Sequence, residues 1–173
     1  MKYYTGKGDN GMTDIKNGRV KKDSAIIKFI GDLDELSAFL GYAISKINYQ
    51  DINETLKVVE RKIYILSAIA SGYNTLVKND IDISSKDVKE IEKTTDRFSK
   101  EINPLTKFLY PNGSESACII NICRTMARRI ERDYIESGVK NDYIGAYLNR
   151  LSSLLFVIFR LINKRDNFTE EFF

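Results

Sequence analysis

The chain has 173 residues, 43% hydrophobic and 29% charged, and its 27 Lys+Arg against 24 Asp+Glu give a formal charge of +3. That is the make-up of one soluble globular domain long enough to bury a core, with a charge balance too mild to point by itself to nucleic acid or an anionic membrane. Histidine is absent, which excludes imidazole acid–base chemistry, Ser–His–Asp triads and histidine-bearing metal sites.

Taken in chain order, residues 3–23 (YYTGKGDNGMTDIKNGRVKKD) are polar, with glycines at 6, 8, 11 and 18 and turn dipeptides at Asn10-Gly11 and Asn17-Gly18. They predict a loop or short extended arm, and no secretory leader is expected ahead of it. A first helix is expected over about 24–47, from Ile26, Ile30, Leu33, Leu36, Leu40 and Ile44 at helical spacing. A second runs over about 52–76, and a third follows the capping serines Ser84 and Ser85 to about 102. Asn103-Pro104 ends it. After the extended connector LTKFLYPNGSES, Ser114 or Ser116 caps a fourth helix that stops at Gly138. The fifth covers about 142–165, and the tail DNFTEEFF is expected to fray.

With only two prolines and ten glycines, long helices are favoured over a loop-rich β fold. The expected architecture is all-α, a five-helix bundle with a polar extended N-terminal arm, in one domain over 1–173: arm 1–23, helices 24–165 and tail 166–173. The apolar stretch 151–162 is too short for a bilayer and reads as a buried helix. Cys118 and Cys123, five apart, fall on different faces of a helix, so small buried thiols in a reducing compartment are expected rather than a disulfide or a zinc pair.

Four groupings can carry chemistry. In the arm, Thr5, Gly6, Lys7, Gly8, Thr13 and Lys22 combine close-approach backbone with charge, which suits a polyphosphate but equally suits a flexible run of turns. On the fourth helix Arg124, Arg128 and Arg132 stand at i, i+4 and i+8 beside Arg129, with Glu131 three residues from Arg128. Four arginines and no lysine suggest bidentate anion contacts, with a solvated, salt-bridged face as the alternative. Asp34, beside the buried stripe of the first helix, needs a partner, for which an arginine of the fourth helix is the natural candidate; a structural ion pair is the competing reading. Asn149 on the fifth helix offers an amide to an adenine, a ribose or a backbone group. Phe108 in the connector reads by default as core packing.

Four separated segments, in order, are similar to one family. YTGKGDNGMT resembles the YTRTGDxGxT opening of PduO-type ATP:cob(I)alamin adenosyltransferases, and KDSAIIKFIGDLDELSAFLG their KD…DELnsxlG helix. FLYPNGSESACIINICRTMARRIER resembles FxLPgGsxxaaxLhxaRtvxRRaER, and YLNRLSSLLFVIFRLIN resembles yLNRLSDxLFxxaRxxN. The resemblance runs from Tyr4 to about Asn163, with residues 48–103 alike only in helical character. It implies a ferritin-like up-and-down bundle that assembles as a cytoplasmic homotrimer and transfers the 5′-deoxyadenosyl group of ATP to cob(I)alamin. By resemblance the arm wraps the triphosphate through the six residues named above, with Asp14 beside them. Arg128, Arg129, Glu131, Arg132 and Asn149 complete the nucleotide site, Asp34 and Arg124 pair across the subunit boundary, and Phe108 closes the lower face of the corrin. ATP and cob(I)alamin are then the substrates, Mg2+ rides on the triphosphate, and neither nucleic acid nor membrane is a partner.

The chain departs from the pattern in places. Gly6 replaces a basic residue, Asn112 stands where glycine is common and can adopt the same left-handed turn, Ser153 replaces an acid, and Asp14 brings charge beside phosphate. The rival reading is a non-catalytic helical bundle that binds nucleotide or nucleic acid through the arginine stripe; a carboxylate-bridged metal store is disfavoured by the missing histidines.

Overall fold

The polar arm folds back on itself before the first helix begins. In a computed structural model, which describes residues 2–73 and 82–173, β1 (Met12–Ile15) pairs antiparallel with β2 (Gly18–Lys21), Met12 opposite Lys21 and Ile15 opposite Gly18. Lys16 and Asn17 form the turn. The Lys16 N–H donates to the Ser71 carbonyl at 3.1 Å, which docks the hairpin on the end of the second helix. Gly11, just ahead of β1, has a φ of 77°, a conformation open to glycine at no steric cost.

Five helices follow: α1 (Ala25–Lys46), α2 (Gln50–Ala70), α3 (Ser85–Ser99), α4 (Glu115–Ser137) and α5 (Ile144–Arg165). α2 stops six residues before its expected end, where Gly72 takes a φ of 81°; residues 74–76 of that expectation lie outside the described residues. α3 gives way to tight turns in which Glu101 and Ile102 donate to the Phe98 and Ser99 carbonyls. Gly138 ends α4 in the left-handed region, as expected. α5 starts two residues later than expected because Asn141 caps it: its Oδ1 accepts the N–H groups of Tyr143 and Ile144 at 2.8 and 3.0 Å.

The helices pack in the order α2–α1–α4–α5–α3. Phe29, Leu33, Leu36 and Leu40 of α1 meet Ile120, Cys123, Ala127 and Ile130 of α4 and Leu148, Leu151, Leu155 and Ile158 of α5, all buried. α5 has the length and apolarity to cross a membrane, yet 61% of its most apolar window is buried inside the protein. Burial pushes the Cys123 thiol up to about 12, and Cys118, half-buried, donates its thiol to the Gly113 carbonyl; both are free. At the far end Arg165 forks onto Asp51 at 2.8 and 2.9 Å and reaches Glu101 at 2.9 Å, which joins α5 to the start of α2 and the segment after α3.

The tail is not frayed. Asn167 adopts a left-handed φ of 56°, its N–H donates to the Lys164 carbonyl, and the Phe168 N–H donates to the Asn163 carbonyl at 2.8 Å. This 6→1 and 5→2 pair turns the chain back sharply at the helix end. The tail then runs antiparallel to the connector, with Phe172 bridged to Leu109. Sequence periodicity gave no sign of this, because the tail's partner lies some sixty residues upstream.

Candidate active site

Burial of one face of α4 decides what the other can do. Ile119, Cys123, Met126 and Ile130 are in the core, so the helix period turns Arg124, Arg128 and Arg132 away from it. Arg129 faces α1, where Asp32 at 3.2 Å and Glu35 neutralise it. The other three have no carboxylate partner among the described residues. Arg124 donates Nε to Asn121 Oδ1 at 2.6 Å, and its guanidinium lies 5.9 Å from the Phe156 ring centre. Burial, and then the neighbouring charge of Arg128, hold its pKa below the ordinary arginine value. Arg132 donates to the Arg128 carbonyl at 2.9 Å. Arg128 itself is exposed, with no side-chain partner among the described residues.

Glu131 does not hold Arg128. Its Oε1 accepts from Asn149 Nδ2 at 2.9 Å, and Asn149 Oδ1 in turn accepts from Arg150 at 2.8 Å. Arg150 also reaches Glu92 of α3 at 3.0 Å. This chain of bonds carries orientation across three helices and leaves the arginine row facing outward.

Asp34 is exposed, unlike the buried acid expected from its neighbours Leu33 and Leu36, because the adjacent position on a helix turns about 100° away. Its carboxylate is unpartnered among the described residues. With Thr13 and Asp14 of the hairpin it lines an open cavity of about 350 Å³, to which Ile30, Ile63 and Tyr64 also contribute. No α4 arginine lines this cavity, and no bond joins Asp34 to Arg124 within the chain. One chain therefore carries two separate polar surfaces, one built from the arm and α1, the other from α4 and α5.

The arm's ordering residue is Arg19, which sequence reasoning missed. It donates to the Lys7 carbonyl and, at 3.2 Å, to Asn10 Oδ1. The available signal was its place opposite Asp14 in the hairpin register. The Lys22 ammonium lies so close to Gly8 that a Cβ there would stand 3.0 Å from Nζ. Gly6 has a φ of 69°, and the Lys7 N–H is 3.4 Å from Thr5 Oγ1.

Phe108 is 82% exposed, which rules out core packing. Asn112 is not left-handed, since Asn167 is the one non-glycine with positive φ among the described residues. The constraint falls on Gly113 instead: a Cβ would lie 2.2 Å from Asn163 Oδ1. Asn163, fully buried, accepts the Ser114 N–H and donates to the Asn112 carbonyl, and so pins the connector to α5. No group of three or more carboxylates or cysteines among the described residues is arranged to hold a metal.

The family described as cobalamin adenosyltransferase matches residues 3–162. The chain is 31% identical over 175 residues to a corrinoid adenosyltransferase of Bacillus subtilis, covering 96% of this chain and 89% of that one. It is 34% identical to a cobalamin adenosyltransferase of Cupriavidus metallidurans, over 94% and 89% of the two chains. A variant PduO-type ATP:corrinoid adenosyltransferase from Lactobacillus reuteri, solved with cobalamin and ATP, superposes with a TM-score of 0.89 at 22% identity, covering 99% of this chain and 96% of that one.

Proposed function

The chain belongs to the cobalamin adenosyltransferase family, and from that premise we propose that the arm of one subunit and the arginine row of its neighbour enclose one ATP beside a reduced corrinoid. The reaction is transfer of the 5′-deoxyadenosyl group from ATP to the cobalt of cob(I)alamin, giving adenosylcobalamin and triphosphate. The rival reading, a non-catalytic binding bundle, has no support in these likenesses.

One observation carries the site: three guanidiniums on one face of α4, one of them half-buried, stand without a carboxylate among the described residues while Arg129 beside them has two. Such a row is complete only with an anion. Asp34, exposed on α1, and Arg124 on α4, each without an opposite charge among the described residues, supply each other's missing charge if they meet across a subunit boundary. That complementarity supports an assembly with its sites between subunits, the homotrimer that the resemblance implies.

The residues then act as follows. The cobalt lone pair attacks C5′, a Co–C bond forms, the C5′–O bond breaks and its electron pair leaves on the triphosphate. No proton moves, so no side-chain base is required. Arg128, Arg132, Lys7 and Lys22, with backbone N–H groups around Gly6 and Gly8 and the hydroxyls of Thr5 and Thr13, meet the charge growing on the leaving group. Asn149 and Glu131, locked to each other, present fixed polar groups to the nucleoside, and this positioning supplies much of the rate. With no carboxylate cage among the described residues, Mg2+ enters on the phosphates of the nucleotide. Phe108, held out from the bundle, covers the lower face of the corrin and excludes water from it. These residues suit the cytoplasm, where thiols such as Cys118 stay reduced.

Arg128→Ala is the test. Turnover with ATP and chemically reduced cobalamin should fall about 10²–10³-fold, the loss typical of removing one charge-stabilising donor, with the far-ultraviolet dichroism unchanged. Near-normal turnover would take Arg128 out of the site.

A further inference from the structure

We propose that Arg160 and Glu170 are positioning residues: their buried, two-pronged ion pair latches the C-terminal tail onto the connector and so fixes where Phe108 stands. This rests on the reading of Phe108 as the residue facing the corrin.

Phe108 is 82% exposed, so side-chain packing does not hold it and its backbone must. Downstream, Asn163 grips the Asn112 carbonyl and the Ser114 N–H. Upstream, residues 103–107 make no backbone–backbone hydrogen bond among the described residues. At Phe108 itself the backbone tie is to the tail: the Phe173 N–H donates to the Phe108 carbonyl at 2.9 Å, and the Tyr110 N–H donates to the Glu171 carbonyl at 2.9 Å. The Tyr110 and Phe173 rings meet edge-on at 6.2 Å.

What holds the tail is α5. Arg160, only 5% exposed, donates Nε and Nη2 to the two oxygens of Glu170, both at 2.8 Å. A bidentate charge-assisted pair fixes direction as well as distance, and a buried arginine that loses its carboxylate is left with an uncompensated charge. Alternation along an extended strand then sets the register. Glu170 turns toward the body, where with Arg160, Ile102, Phe168 and the partly exposed Phe172 it lines a cavity of about 440 Å³. Glu171 and Phe173 turn toward the connector, where Glu171 accepts from Asn112 Nδ2 at 3.1 Å. A slip of one residue would reverse both sets, and the ion pair is what forbids it.

The test compares Glu170→Gln and Arg160→Lys with Phe108→Ala in the full chain. Hydrogen exchange at the Tyr110 and Phe173 amides should quicken about tenfold or more in the two latch variants, the effect expected when a hydrogen bond to a charged group is lost. Cob(II)alamin with no ligand on its lower face is easier to reduce to cob(I)alamin, so a displaced Phe108 should lower turnover from cob(II)alamin plus reductant about tenfold, while turnover from preformed cob(I)alamin stays within about twofold and ATP affinity is unchanged. The four-coordinate Co(II) signal in electron paramagnetic resonance should shrink in parallel. Unchanged exchange overturns the latch. So does a selective cob(II)alamin defect in Phe108→Ala that the latch variants do not share. No selective defect in Phe108→Ala overturns the reading of Phe108 and the latch together. Should a latch variant unfold, truncation after Phe168 frees Arg160 to solvent and must show the same selective defect, or the proposal fails.

Discussion

An amide with no room around it shows how one residue governs a segment. Asn163 has both ends of its side chain engaged by the connector, and Gly113 lies so close that any Cβ would overlap it. Gly113→Ala should therefore lower stability by about 1–3 kcal/mol, the usual cost of forcing an extra carbon into a packed site, read from the urea midpoint; an unchanged midpoint would mean the amide can swing aside. Asp34→Arg should abolish assembly and turnover, and adding Arg124→Asp should restore assembly in sedimentation or light scattering; no recovery in the double variant would argue against their contact. At this scale the arginine row and the arm glycines were legible from spacing and residue type. What Asn163, Arg19 and Arg160 hold was not, since helical or strand spacing brings none of them near its partner; the motif aRxxN contains Arg160 and Asn163 as residue types without saying what they grip, and an arginine inside the run LLFVIFRLIN looks like an interruption until Glu170 is seen to fold back on it.

Elements were easier to read than their ends. Apolar spacing located all five helices, because each buries one stripe, whereas ends depend on single bonds such as Asn141 to the Ile144 N–H. The arm illustrates a division that spacing could not reveal. Its second half is structural: the hairpin is tied to Ser71, and Asn17 fills the space beside Gly72. Its first half, holding Thr5, Lys7 and Gly8, is tied back chiefly through Arg19. Removing residues 1–11 should accordingly weaken ATP binding at least tenfold while moving the melting temperature by only a few degrees. Equal losses of binding and melting would make the whole arm a structural element.

Across the whole molecule, α1 and α4 meet through a carboxyl pair. Asp133, 3% exposed, accepts from Lys28 at 2.6 Å, and Asp32 pairs with Arg129. Burial, and then the proton shared with Asp133, push Asp32 up to about 6; Asp133 lies below its ordinary value, because against burial the bonds from Asp32 and Lys28 prevail. The sign follows. An unfolded aspartate releases its proton near pH 4, so between about pH 4 and 6 the folded state binds more protons and stability falls as pH rises. Asp51, held low by Arg165, acts in the opposite sense, its contribution being lost only as pH drops below about 4. Asp32→Asn should flatten the urea midpoint between pH 4 and 6; an unaltered slope would assign it to other groups.

α5 links the two chemical ends of the molecule in a way that neither end displays alone. It carries Asn149 near its start and Arg160 eleven residues later, and at 1.5 Å per residue the two stand roughly 16 Å apart on a single rigid rod. The helix thus serves as a ruler between the nucleoside grip and the brace behind Phe108. One alanine inserted between them would lengthen that ruler by little yet rotate the far end by about 100°, so each half could still bind its own substrate while carbon and cobalt no longer came into line.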